Sequence, residues 1–214
     1  MTDKRRIPHY LFLPAMIAFL MLFFAGCGEQ DESDRSSGYE NVISLHTDAL
    51  IEFEEGTFEL ENYSTDEYSE LQSEYMTYGF LESLIPDLSS AGDYYYGFMD
   101  LDGDDNDEFI IMQKINDDEF TYHGIYSLDG GEPYMILETG LWDRCRAFVY
   151  SDGTIEVFGS SGAADYTSEF YKFDDGELEL VETVGSDDGD KYDKVTEKYR
   201  SLGAPDIEWI SFIK

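Results

Sequence analysis

The chain has 214 residues, of which 48 are acidic and 13 basic, for a formal net charge of -35. That balance excludes nucleic acid and anionic lipid surfaces as partners of the folded part, because both would be repelled. A hydrophobic fraction of 42%, with 17 Tyr and 15 Phe, excludes a disordered acidic tail and points to one domain with a real core.

The N-terminus reads as a processing segment over residues 1–26. Lys4, Arg5 and Arg6 form a positive start, Leu11 to Phe24 is nearly unbroken in its apolar character, and Phe24-Ala25-Gly26-Cys27 closes the run. Small residues before a Cys mark a cleavage site. An uncleaved membrane anchor is the weaker reading, because the stretch is short for a span and Pro14 interrupts it. The segment resembles a bacterial lipoprotein signal peptide, with Phe24 where Leu is usual. The resemblance implies lipidation (palmitate or a similar acyl chain) of Cys27. It also implies anchoring in the cell membrane through that lipid and an extracytoplasmic setting for the rest. Residues 27–40 then form the lipidated Cys and a flexible acidic tether, GEQDESDRSSG, with nothing apolar to bury.

Residues 41–214 read as a single β-rich domain. Val42 to Leu60 carries Ile51-Glu52-Phe53 and Thr57-Phe58-Glu59-Leu60 around Glu55-Gly56, which predicts an opening hairpin or two short strands. Ser64 and Glu67 resemble a capping box. Behind them Tyr68, Leu71, Tyr75, Tyr78 and Leu81 recur at helical spacing, predicting a helix near 65–85. Its Tyr stripe reads as a packing face rather than a sugar platform, since Tyr hides its ring and keeps its hydroxyl wet.

From Tyr94 the pattern predicts strands at Tyr94–Met99, Glu108–Ile115, Phe120–Ser127, Glu132–Leu137, Arg144–Tyr150, Thr154–Phe158, Glu169–Phe173 and Leu178–Val184. Asp129-Gly130-Gly131, Ser151-Asp152-Gly153 and Asp174-Asp175-Gly176 supply tight turns between them. Gly159-Ser160-Ser161-Gly162 reads as a surface loop, and no Lys follows that would make it a phosphate loop. A closing helix is expected near 191–202, with Tyr192, Val195, Tyr199 and Leu202 on one face and Gly203 and Pro205 ending it. Ile207 to Ile213 adds a last strand. The fold class is mainly β with flanking helices (α+β). The strands form an antiparallel β meander, as a curved open sheet or an incomplete propeller.

The chemistry concentrates in YYYGFMDLDGDDNDEFIIM, where Asp100, Asp102 and Asp104 alternate around Gly103 and Glu108 closes the run. Carboxylates at alternate positions of a tight loop can turn onto one hard cation, and calcium takes six to eight oxygens at about 2.3–2.6 Å. The expected ligands are Asp100, Asp102 and Asp104 through their side chains, Asn106 through its carbonyl, and Glu108 directly or through water. Without a cation these groups, with Asp105 and Asp107, would repel one another. The pattern departs from an EF-hand: Ile111 stands where the twelfth-position Glu belongs, and Asp105 where the sixth-position Gly belongs. Apolar flanks on both sides predict that the loop joins two strands, as in integrin-like and dockerin-like modules. The competing reading is an acidic β-turn on an acidic protein.

The same segment resembles the hallmark of a group of lipoproteins and surface proteins from anaerobic Gram-positive bacteria, mostly of uncharacterised function. They carry an aromatic residue, an Asp-x-Asp-Gly-Asp-x-x-x-Glu run and two aliphatics, after a helix rich in Tyr and Leu. Asp100, Asp102, Gly103, Asp104, Glu108, Ile110 and Ile111 match, and Asp105 departs where a Gly is usual. The likeness runs from roughly Tyr68 to the closing helix and is loose outside the loop. It implies a fold type and a cell-surface setting, not an activity.

Other chemistry is thinly represented. His9, His46 and His123 make no zinc motif, and Cys145 is the one cysteine after Cys27, so no internal disulfide can form. Cys145 reads as a buried, inert thiol at a strand start, although Arg144 and Arg146 flank it. Two function classes follow. One is a non-catalytic cell-surface lipoprotein with a calcium-binding loop, binding an extracellular protein or glycan. The other is a secreted carboxylate-dependent hydrolase or enzyme accessory subunit, which needs two carboxylates set across a sugar or similar substrate.

Overall fold

The computed structural model describes residues 35–63, 76, 78–84, 93–116, 120–138 and 145–213. Cys27, the signal segment and most of the expected Tyr-rich helix lie outside the described residues. Nine strands form one antiparallel sheet: β1 (Asp93–Met99), β2 (Glu108–Lys114), β3 (Phe120–Asp129), β4 (Glu132–Glu138), β5 (Arg146–Val149), β6 (Ile155–Gly162), β7 (Asp165–Asp174), β8 (Glu177–Gly185) and β9 (Ile210–Ser211). Their order is β8-β7-β6-β5-β3-β2-β1-β9, so the sheet is open. It forks at β3. The first half of that strand pairs with β5 at Tyr122–Ala147, and the second half, from Gly124, pairs with β4.

The predicted meander is borne out. Its eight strands fall within a few residues of their expected ends because the turn residues bracket them. Gly130, Gly131, Gly153 and Gly176 all take positive φ, the geometry that tight antiparallel turns require. The Gly159-Ser160-Ser161-Gly162 stretch is not a loop. It continues β6, with Gly159 opposite Thr167 and Ser160 opposite Tyr166. Pairing with β7 overrides the low strand preference of Gly and Ser. The last strand is shorter than expected. Only Ile210 and Ser211 pair with β1, whereas Ile207 and Trp209 pack over Gly97. A Cβ on Gly97 would lie 2.3 Å from the Ile207 side chain, so glycine is what admits the segment.

The expected opening hairpin is instead helix α1 (Glu40–Glu55). Val42, His46, Ala49 and Leu50 are its buried residues, a spacing of four, three and one that lies on one helical face. Gly56 is the helix stop, not a hairpin turn. It sits at φ 70, and the Thr57 N–H reaches back to the Glu52 carbonyl at 2.8 Å. Of the helix expected near 65–85 the described residues include Met76, which is not helical, and helix α2 (Tyr78–Ser83); α3 (Asp190–Arg200) is the closing helix. The closing helix ends before Leu202, which is exposed rather than packed. No helix among the described residues is long and apolar enough to cross a membrane.

Strand β2 is buried on both faces, as its Phe-Ile-Ile-Met run requires. Phe109 and Ile111 face a cluster with α1, α2, Tyr96, Phe98 and Tyr126, while Ile110 and Met112 face Tyr122, Ile125, Val149 and Ile155. Truncating a fully buried aromatic such as Phe109 would cost about 3–5 kcal/mol. Helix α3 closes a third cluster by laying Tyr192, Val195 and Tyr199 on Phe170 and Val184. Tyr199 stacks on Phe170 with ring centroids 3.9 Å apart. Both histidines of the folded part are in the core and contact Phe80. Burial pushes His46 down to about 4 and His123 to about 3.

Candidate metal centre

Asp100 leaves β1 and immediately organises the chain that follows. Its carboxylate accepts the N–H groups of Gly103 at 2.6 Å, Asp104 at 3.2 Å and Asp105 at 3.2 Å, so three successive residues wrap their backbone around one side chain. Asp102 accepts the Asp104 N–H at 3.2 Å, and Asp104 accepts both the backbone N–H and the side-chain amide of Asn106, at 2.7 and 2.8 Å. The loop turns through two left-handed residues, Gly103 at φ 83 and Asp105 at φ 70. Asp105 thus adopts the conformation for which a Gly is usual, at a cost that Asp tolerates better than most residues.

The loop begins and ends on β1 and β2, as the apolar flanks predict, and it is anchored from beneath. Tyr39, just ahead of α1, stacks on Phe109 and donates its hydroxyl to the Asp107 carbonyl at 3.0 Å. Leu101 is buried, and its carbonyl would meet a Cβ on Gly153 at 2.6 Å, which packs the β5–β6 turn against the loop. Glu108 is 2% exposed. One carboxylate oxygen accepts the Leu101 N–H at 2.8 Å and the other the Ser127 hydroxyl at 3.1 Å.

Carboxylate oxygens of Asp100, Asp102 and Glu108 lie within 4.8 Å of one another. Oxygens bound at about 2.3–2.6 Å to one calcium ion can be at most about 5 Å apart, so the three fit around a single ion. Asp104, another expected ligand, is not in this group, and Asn106 is expected to contribute its backbone carbonyl. The Asp104 carboxylate is turned onto Asn106 instead. Burial is the main cause that raises the Glu108 carboxyl to about 7, with repulsion from Asp102 and Asp104 adding to it against the two hydrogen bonds. Asp102 is also raised, by burial and then by Asp104 and Asp100. Burial and mutual repulsion thus act together against the ionised forms of both carboxyls.

The loop also faces residues that sequence reasoning left out. Asp102, Gly103 and Asp104 share a polar pocket of 300 Å³ with Ser127, Tyr134 and the β7–β8 turn at Asp174-Asp175-Gly176. Tyr134 ties that turn in place by donating to the Gly176 carbonyl at 3.3 Å. Asp174 and Asp175 read locally as an ordinary hairpin turn, and only the forked sheet brings them here. Cys145 is half-buried just before β5, not sealed inside it. The lipidation residue Cys27 lies outside the described residues. Compared with models of protein families, with curated proteins and with solved structures, the chain matches none.

Proposed function

We propose that this is a lipid-anchored cell-surface protein in which Asp100–Glu108 is a structural calcium loop. Its role is non-catalytic, presenting the sheet to an extracellular protein or glycan, and the membrane is reached through the lipid on Cys27. The observation that carries the calcium reading is the convergence of Asp100, Asp102 and the buried Glu108 within 4.8 Å. A buried carboxylate facing two others, with only hydroxyl and amide donors opposite, is costly unless a cation joins it. The cell-surface setting rests on the signal-like N-terminus and the resemblance of the acidic segment. A hydrolase gains no support from the aromatic cleft between β5, β6 and α3, whose lining contains one carboxylate, Glu156, rather than two.

The test is calorimetric titration of the full chain with calcium, with thermal melting followed in parallel. Saturable binding of one ion at about 10⁻⁴–10⁻³ M, with a rise in Tm, is the expected result. Asp102→Ala should abolish both. Diffuse binding that Asp102→Ala retains would make the segment a plain acidic turn.

A further inference from the structure

A second place in the fold is built like a binding site and is independent of the acidic loop. Between the end of β5, the start of β6 and the chain leaving α3 lies a half-open cleft of 190 Å³. Phe120, Phe148, Tyr150, Glu156, Arg200 and Ala204 are among its lining residues. Glu156 is 1% exposed. One of its oxygens accepts the Ser168 hydroxyl at 2.6 Å, and the other accepts the Tyr150 hydroxyl. An ionised carboxylate has about four acceptor positions, so two hydroxyls leave it unsaturated. Among the described residues it makes no ion pair.

The Arg200 guanidinium lies beside the same Tyr150 hydroxyl. Acceptor and donor therefore line one cleft and both neighbour one oxygen, on the order of 6 Å apart. Both are formally charged, and the walls around them are apolar. A ligand with a single charge would satisfy one group and repel the other. A neutral polyol could bond to both and would leave both charges unanswered. A compact zwitterion, with ammonium and carboxylate on one carbon, answers both at this separation. The cleft is smaller than the about 300–1,000 Å³ typical of drug-sized ligands, which suits a molecule with a short aliphatic side chain laid on the Phe rings.

We propose that this cleft binds a small aliphatic α-amino acid, its ammonium on Glu156 and its carboxylate on Arg200. Tyr150 fixes the Glu156 carboxylate, and the Tyr199–Phe170 stack anchors α3 one residue before Arg200. This role rests on the cell-surface reading proposed above, on which such a cleft makes the protein a receptor for free amino acids.

The experiment is calorimetry on the full chain with L-alanine, L-valine and L-leucine. Isobutylamine and isovalerate serve as single-charge analogues, and glucose as the neutral polyol. At least one of the amino acids binds saturably, and each single-charge analogue binds at least about tenfold more weakly, the loss expected of one charge-assisted hydrogen bond. Arg200 is exposed, so Arg200→Gln keeps the Tm while weakening amino-acid binding by about tenfold or more. The proposal is overturned if none of the three amino acids binds, or if glucose or a single-charge analogue binds equally well. Amino-acid binding that Arg200→Gln leaves unchanged overturns it too.

Discussion

Glu108 and Glu156 are the same residue under nearly the same burial, and the protein treats them in opposite ways. Both side chains are almost wholly removed from solvent, and both accept a serine hydroxyl from a neighbouring strand, Ser127 in one case and Ser168 in the other. What faces their remaining lone pairs differs. Around Glu108 stand Asp100 and Asp102, and its carboxyl, raised first by burial and further by Asp102 and Asp104, is pushed up to about 7. Around Glu156 stand a tyrosine hydroxyl and, beyond it, a guanidinium. Burial alone does not say what a carboxylate is for; the charge opposite it does. One environment asks for a metal cation; the other fixes its carboxylate with two protein hydroxyls, leaves acceptor positions over, and has a guanidinium nearby.

The comparison is broken most severely by removing the carboxylate whose donors are internal. Glu156→Ala leaves the Tyr150 and Ser168 hydroxyls buried without an acceptor and opens a cavity, at a cost of about 3–5 kcal/mol whether or not calcium is present. Urea unfolding in calcium and in chelator should give the same loss. A loss confined to one of the two conditions would mean that Glu156 and the loop are a single network.

His46 sharpens the contrast with a third case, a buried ionisable group that stays neutral. Its Nδ1 lies 2.7 Å from the Val42 carbonyl, and its Nε2 has no partner among the described residues. Its folded pKa lies below the usual 6.5, near 4, so the unfolded chain takes up the proton first. The stability it contributes is complete above pH 6.5 and is lost as the pH falls towards 4. His46→Met should remove on the order of 3 kcal/mol of that acid sensitivity, read as the difference in unfolding free energy between pH 6.5 and 4. An unchanged acid limb would assign the sensitivity to other groups, His123 first.

The smallest effect expected is in the loop backbone. Asp105→Gly relieves the left-handed conformation at φ 70 and removes one negative charge beside the site. It should stabilise the protein by up to about 1 kcal/mol in chelator, measured as a higher Tm, and leave Glu156 chemistry untouched.

How far the sequence could be read follows from how local each signal is. The acidic loop was legible because its alternation and its flanking strands are contiguous. Asp100, Asp102 and Glu108 are near in sequence as well as in space, although Tyr39, Ser127 and Gly153, which anchor the loop, are distant in sequence. The meander was legible because Asp-Gly and Gly-Gly turns mark its corners. Helix α1 was not. Ile51-Glu52-Phe53 alternates like a strand, and Gly56 suits a helix stop as well as a turn, so the 3.6-residue spacing of Val42, His46, Ala49 and Leu50 was masked. Glu156 was invisible for a different reason. It is one of 48 acidic residues, and its partners Tyr150, Ser168 and Arg200 are assembled only when β6, β7 and α3 pack. The same applies to Asp174 and Asp175, which reach the acidic pocket through the fork at β3.

The most direct test of the central claim compares wild type with Glu108→Gln, melted in chelator and in millimolar calcium from pH 5 to 8. In chelator, a carboxyl raised from 4.5 to about 7 contributes stability that is complete below pH 4.5 and lost as the pH rises through 7. The wild type should therefore lose stability towards pH 8 in chelator and regain it with calcium. Glu108→Gln should be flatter with pH and indifferent to the ion. A wild type that calcium leaves unchanged at pH 8, or a variant that responds to calcium as the wild type does, would contradict the account.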